Sequence, residues 1–104
     1  MTPPTELFGR WLHRHEDDEG DVEVYRPAAE AFPRSRGRDG FEVRPDGSFT
    51  HVGIGRGDGS TETAGRWRCP DGRRLEVTLD NGNAYTLELV AVTDDEVRVR
   101  RRYG

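Results

Sequence analysis

The sequence contains few of the residues that cross-link a chain or anchor it in a membrane. Among its 104 residues there is one cysteine, Cys69, which excludes an intrachain disulfide and a cluster of thiolates around zinc. No run approaches the roughly 20 apolar residues of a membrane helix, and residues 1–6 lack the basic and apolar stretches that begin a signal peptide. We therefore expect a cytoplasmic protein without a membrane partner.

Lysine and glutamine are absent, so that all 16 basic residues are arginine. This bias is typical of GC-rich bacterial genomes, in which arginine codons replace lysine codons. Acidic residues are more numerous, at 20, and they give a formal net charge of -4 and an isoelectric point near 5.4. A chain of this sign lacks the electrostatic attraction to a phosphate backbone, and we expect no nucleic-acid partner.

Hydrophobic residues are also scarce, at 32%, while 35% of the residues are charged. These proportions alone are typical of a disordered chain. However, the apolar residues are concentrated in alternating runs, and the aromatic residues lie among or beside those runs. The sequence therefore predicts one folded domain over residues 1–104, with a thin core and long polar loops.

Alternation of apolar and polar residues with a period of two predicts about eight β-strands. Three of the connections are short turns rich in Pro, Asp, Asn and Gly, at residues 45–47, 70–72 and 81–82. Residues 27–40 are predicted to form a long loop with one helical turn at most. The predicted strands cover residues 7–16, 22–25, 41–44, 48–54, 63–69, 74–80, 85–91 and 97–103.

Tight hairpins make strands that are neighbours in sequence into neighbours in space, which predicts an all-β, antiparallel up-and-down meander. An open meander of about eight strands would leave two edges exposed. We therefore expect the strands to close into a small barrel. The alternatives are a twisted, incompletely closed sheet and a sandwich of two sheets.

The tripeptide Gly-Arg-Trp occurs twice, at residues 9–11 and 65–67. A Gly-x-Trp in the first strand, an arginine-rich last strand and a β meander between them resemble the lipocalin and calycin group of barrels. The resemblance implies that Trp11 closes one barrel end, stacked under Arg98, Arg100 or Arg102 in a cation–π contact. The second tryptophan, Trp67, is predicted to anchor the core, with its indole N–H bonded to a carbonyl.

Three short runs also resemble those of bacterial proteins without an established activity. They are Trp-x-His-x-His-Glu from Trp11, Tyr-Arg-Pro from Tyr25 and Arg-Gly-Arg from Arg36. A resemblance of this kind implies a family but brings no reaction or ligand to this chain.

His13 and His15 form a His-x-His in the first predicted strand, so that both imidazoles project from one face about 7 Å apart. Two neutral imidazoles on one face are a start for a divalent metal site, to which His51 and Cys69 could contribute. The alternative is that the two histidines lie at the barrel mouth or in solvent, and that the protein has no cofactor.

Two groups of residues suggest a binding site for a small molecule. Guanidinium groups at Arg34, Arg36 and Arg38 can fork around a phosphate or a carboxylate, although an acidic turn at residues 16–19 offers them ordinary partners. The second group is aromatic and is predicted to line an interior cavity, unless it fills a solid core. Its members are Tyr25, Phe32, Phe41 and Phe49.

These observations leave three hypotheses for the function. The first is a lipocalin-like barrel that binds a small, anionic molecule, with Tyr25, Arg36 and Arg38 near the entrance. The second is a small barrel enzyme or metal-binding protein that uses the face of His13 and His15. The third is a protein–protein interaction domain, either monomeric or a homodimer through an edge strand or through the arginine-rich last strand. No nucleophile elbow, phosphate loop or dinucleotide fingerprint is present to favour a particular reaction.

Overall fold

The structure is a computed structural model, which describes residues 3–29, 39–54 and 60–103. Their helical structure consists of two single 3-10 turns, at Thr5–Leu7 and His15–Asp17, neither of which has the length and apolar character to cross a bilayer. The rest of the regular structure is β. The strands are β1 (Gly9–His13), β2 (Val22–Pro27), β3 (Gly40–Val43), β4 (Ser48–Ile54), β5 (Ser60–Arg68), β6 (Arg74–Leu79), β7 (Ala84–Val92) and β8 (Val97–Tyr103).

The eight strands are all antiparallel and form a closed barrel, which confirms the predicted fold class. From β3 to β8 each strand pairs with the next one along the chain. The first strand departs from this order, because β1 lies between β2 and β3. The barrel is therefore closed by the pairing of β2 with β8, with Val22 opposite Arg100.

Turn chemistry explains the hairpin between β3 and β4 and the hairpin between β6 and β7. Gly47 and Gly82 both have a φ of +92°, a left-handed conformation that residues with a side chain rarely adopt. In each turn a side-chain oxygen fixes the backbone two residues on: Asp46 accepts from Ser48 N at 2.9 Å, and Asn81 accepts from Asn83 N at 3.0 Å. The turns predicted at 45–47 and 81–82 are where the chain reverses.

The first two strands differ in length from the prediction. The first was expected over residues 7–16, but β1 ends at His13 because Asp17 N donates to Arg14 O and starts a 3-10 turn. The second runs on to Pro27, which lies opposite Trp11. The predicted loop at 27–40 is described at its ends only, since residues 30–38 lie outside the described ranges.

One end of the barrel is apolar, and it is the end at which β1 begins. Leu7 is fully buried there and Trp11 is 3% exposed. The Trp11 indole N–H donates to Leu7 O at 2.8 Å, which fixes the N-terminal turn over the barrel. Phe8 packs on Trp67 at 6.0 Å between ring centroids, and Trp67 N–H donates to Arg44 O. We call this the apolar end.

The position of Trp11 corrects the contact implied by the lipocalin resemblance. Because β1 pairs with β2 and β3, the first strand does not lie beside the last. The three arginines predicted as partners of Trp11 have carboxylate partners instead: Arg98 pairs with Glu96, Arg100 with Asp21 and Arg102 with Glu88. The arginine of β8 that lies over an aromatic ring is Arg101.

Candidate functional site

The opposite end of the barrel, where β1 finishes and β8 ends, is lined by polar side chains, and we call it the polar end. Side chains alternate between the two faces of each strand, so these polar side chains point inward on the same face as the core residues of their own strands. His13 lies opposite Tyr25, and Leu87 lies opposite Arg101. The inward polar residues are His13, Glu23, Tyr25, His51, Tyr85 and Arg101, and Asp39 joins them from the residue before β3.

His13 is held between two carboxylates. Its Nδ1 lies 2.9 Å from Asp39 Oδ1, and its Nε2 lies 2.8 Å from Asp18 Oδ2. Both nitrogens need a proton to make these bonds, so the ring is an imidazolium. Burial acts to lower the pKa of His13, but the hydrogen bonds and charges of Asp39 and Asp18 outweigh it and raise the pKa above its ordinary value.

This arrangement separates the three histidines that were predicted to bind a metal. His13 has both nitrogens committed to carboxylates, while His15 lies in the 3-10 turn with 58% of its side chain exposed, next to Glu16. His51 is on β4 and bonds Tyr85. Across residues 3–29, 39–54 and 60–103, no three His, Cys, Asp or Glu side chains are placed to hold a metal ion together. The predicted metal cluster is therefore not assembled in the described part of the chain.

Tyr25 connects His13, which is held between Asp39 and Asp18, to an arginine. Its ring stacks on His13 at 4.9 Å between centroids. Its hydroxyl donates to Glu23 Oε1 at 2.9 Å and accepts from Arg101 Nη2 at 2.7 Å. Burial raises the pKa of Tyr25 well above its ordinary value, so the phenol stays protonated. The result is one continuous polar network inside the polar end.

Arg101 is the centre of that network. Its side chain is only 12% exposed, and its guanidinium carbon lies 4.9 Å from the centroid of the Tyr85 ring. Glu23 Oε1 is 3.5 Å from Arg101 Nε, and a long contact of 3.5 Å joins Nη1 to the Tyr103 hydroxyl. The sequence interpretation overlooked Arg101, although it has the same parity as Val97 and Val99 and so shares their inward face.

His51 and Tyr85 form a second, neutral pair at the rim. Tyr85 O–H and His51 Nδ1 are 3.0 Å apart. Burial and the nearby charge of Arg101 lower the pKa of His51, and burial raises the pKa of Tyr85. At neutral pH both are therefore uncharged, and the remaining ring nitrogen, Nε2, has no hydrogen-bond partner among the residues that the structure describes.

Beside this pair is a surface cleft of about 340 Å³. The exposed ring of Tyr103, which lies 6.0 Å from Tyr85, forms one of its sides. Among the described residues, none of the side chains that line the cleft carries a charge at neutral pH. The lining residues are His51, Leu79, Asn81, Asn83, Ala84, Tyr85 and Tyr103.

The residues predicted to bind a ligand have different positions. Tyr25, Phe41 and Phe49 are fully buried, with neighbouring ring centroids 4.7 and 5.8 Å apart, so they pack against each other inside the barrel. Arg36 and Arg38, together with Arg34 and Phe32, lie outside the described residues. Arg98 and Arg100 are paired with acidic residues at the outer surface.

Comparison of the chain with protein families, with curated proteins and with solved structures finds no match. The class of protein is therefore defined by its own geometry. It is an eight-stranded antiparallel β-barrel with one apolar end and one polar end, and with a cleft at the rim of the polar end whose described lining residues are uncharged.

Proposed function

We propose that the protein is a lipocalin-like barrel that binds a small molecule at its polar end, in the cleft between Tyr103 and His51. One observation carries the proposal. His51 and Asn83 both line a concave surface that also contains aromatic and aliphatic carbon, and neither His51 Nε2 nor the Asn83 carboxamide has a hydrogen-bond partner among the described residues. This combination is typical of small-molecule sites.

The packing of the interior favours the rim over the barrel centre as the place of binding. Phe41 and Phe49 are fully buried and stacked, and Leu87 is fully buried behind them. A closed eight-stranded barrel has room inside for either side chains or one small ligand. Since aromatic rings fill this part of the interior, a ligand reaches only the polar rim.

The rim residues are also held in place before a ligand arrives. Tyr85 is bonded to His51 on one side and lies under Arg101 on the other. Arg101 is in turn fixed by Tyr25. Because these contacts already restrict the side chains, less conformational entropy is lost when a ligand binds.

An NMR titration tests this proposal. Benzamide, benzoate and benzamidine share one planar shape and are neutral, anionic and cationic, so that together they probe the cleft without assuming a charge. At millimolar concentration we expect amide shift changes from at least one probe to cluster at residues 51, 79–85 and 103. Residues 5–9 and 28–29 at the apolar end are the internal control.

A pair of variants locates the binding further. Tyr103→Ala removes an exposed ring and is expected to weaken binding about fivefold, the equivalent of about 1 kcal/mol of stacking. Asp94→Ala, at a cleft near the apolar end, is expected to leave it unchanged. Shift changes confined to the apolar end, or none with any of the three probes, would overturn the proposal.

A second candidate is an enzyme that uses the same cleft, and the specific observation in its favour is the neutral His51 with Nε2 unbonded. Such an imidazole can act as a general base. Hydrolysis of p-nitrophenyl acetate is a test, with His51→Gln compared against His15→Gln. A rate lost only in His51→Gln, and rising with pH below about 6.5, the ordinary histidine value, supports this candidate. Equal rates in the two variants contradict it.

A further inference from the structure

We infer that the ligand of the polar-end cleft is an uncharged aromatic ring carrying an amide or lactam group, stacked on Tyr103 with its polar edge toward His51 and Asn83. This inference rests on the proposed function and names the chemical class that the site would take. It differs from the anionic ligand that the sequence suggested from Arg36 and Arg38, which lie outside the described residues and whose role stays a prediction.

The lining of the cleft carries no charge where the structure describes it. Of all residues in the chain, 35% are charged, yet the seven described residues that line this cleft include no Asp, Glu or Arg. Two clefts at the apolar end contrast with it. One is bordered by Glu6, Arg10 and Asp94, and the other by Asp46 and Arg68.

A charged ligand would lose its hydration in this cleft and gain little in exchange. An ion that leaves water needs a counter-charge or several hydrogen bonds in exchange. The cation that lies over the Tyr85 ring, Arg101, is bonded to Tyr25, and Glu23 lies 3.5 Å from its Nε. It therefore offers little attraction to an anion, and no carboxylate for a cation is present among the described residues that line the cleft.

The hydrogen-bonding atoms at the rim complement an amide group. Asn81 Oδ1 accepts from Asn83 N, so it is used by the turn. The carboxamide of Asn83 has no partner among the described residues, and it offers both donors and an acceptor, while His51 Nε2 adds one more atom. An amide edge, with one N–H and one carbonyl, complements these groups.

An exposed aromatic surface borders the cleft. Tyr103 is 75% exposed, more than any other large hydrophobic residue in the described part of the chain. Its neighbour Tyr85 is tilted by 55° to it, so the two rings do not stack on each other. The free face of Tyr103 is therefore available to a flat ligand.

The same three probes test the class. With the protein at pH 7.5, where His51 is neutral, we expect benzamide to bind at least fivefold more tightly than benzoate or benzamidine. Tighter binding of either charged probe at the cleft overturns this inference but leaves the proposed function standing. If none of the three shifts the cleft residues, the proposed function itself fails.

A charge introduced at Asn83 provides the decisive comparison. Asn83→Asp keeps the size of the side chain at an exposed position, and it is expected to reverse the order, with benzamidine bound more tightly than benzamide. Asp94→Asn changes the charge by one at the apolar end and is expected to keep the original order. An order unchanged in Asn83→Asp contradicts the contact between the ligand and residue 83.

Discussion

At one end of the barrel an indole and a leucine close the interior, whereas at the other end five His, Asp, Glu or Arg side chains and two tyrosines face the same interior. Both ends are built from the same strands by the same alternation. On β1, Trp11 and His13 are two residues apart and both point inward, yet Trp11 bonds a backbone carbonyl and His13 bonds two carboxylates.

The difference shows how stability and binding are divided along the barrel axis. The apolar end removes carbon surface from water and satisfies its few polar atoms with backbone partners. The polar end contains groups whose burial is costly unless each has a partner, such as His13 and Arg101. We expect substitutions at the apolar end to act on folding alone, and those at the polar end to add a dependence on pH and ligand.

The largest expected effect is at Trp11. Trp11→Ala removes a fully packed ring and should lower the free energy of unfolding by about 3–5 kcal/mol, as for large aromatic residues in other cores. Urea unfolding followed by circular dichroism measures it. The loss should be the same at pH 5.5 and pH 8, because the indole nitrogen donates to a backbone carbonyl, which does not titrate.

If Trp11→Ala does not fold, Trp11→Phe gives the same comparison. It keeps most of the ring but leaves Leu7 O without its donor, so we expect a loss of about 1–2 kcal/mol. A loss that varies strongly between the two pH values would contradict the division between the ends.

The next effect is at His13 and depends on pH. Replacement of His13 by Gln removes the cation between Asp39 and Asp18, and we expect a loss of about 2–3 kcal/mol near pH 6. Because the pKa of His13 is raised on folding, its contribution is complete below the unfolded value of 6.5 and is lost as pH rises through the folded value. The difference between wild type and variant should therefore shrink above that pH.

The control for His13 is Asp39→Asn, which removes one of the two carboxylates that bond His13. The pKa of Asp39 is lowered on folding: burial opposes this shift, but the hydrogen bond and charge of His13 outweigh it. Its contribution is thus present above the unfolded value of 3.8 and is lost as pH falls through the folded value. His51, Tyr25 and His15 also face this region, so both variants are compared with wild type at each pH. A difference for His13→Gln that stays constant from pH 5 to pH 9 is the contradicting result.

A smaller effect is expected from the coupling of Arg101 to Glu23. Arg101→Met leaves Glu23 with Tyr25 as its partner, while Glu23→Gln removes the carboxylate. In a double-mutant cycle the two changes should be coupled by about 1 kcal/mol, so that the double variant loses less than the sum. Additive losses would show that Arg101 is held by the tyrosines alone.

The sequence predicted the strands and turns well because their signals are local. Period-two alternation gave the inward faces of β6 and β7, and Asn81-Gly82 gave the turn between them. The sequence did not predict that β1 lies between β2 and β3. That placement depends on pairing over a long connection that ends near Asp39, and no local pattern encodes it.

The site was harder to predict than the fold. The prediction relied on clusters within the sequence, such as His13 with His15 and Arg36 with Arg38, whereas the network joins residues far apart in the chain. Arg101 and Tyr25 are 76 positions apart. The parity of Arg101 with Val97 and Val99 did contain a local signal, since an arginine on an inward face must find partners at a barrel end.

The smallest expected effect is at Arg100, the residue before Arg101. It tests whether the inward direction of the Arg101 side chain is what makes that position sensitive. Arg100 precedes Arg101 on β8 but points outward, where it pairs with the largely exposed Asp21 at 3.2 Å. Arg100→Ala should change the free energy of unfolding by less than about 0.5 kcal/mol, since solvent and salt screen such pairs. The measurement is urea unfolding with and without added NaCl, beside Arg101→Ala under the same conditions. Because the two residues share strand and side-chain type, a loss at Arg100 equal to that at Arg101 would show that the direction of the side chain is not what makes the polar end sensitive.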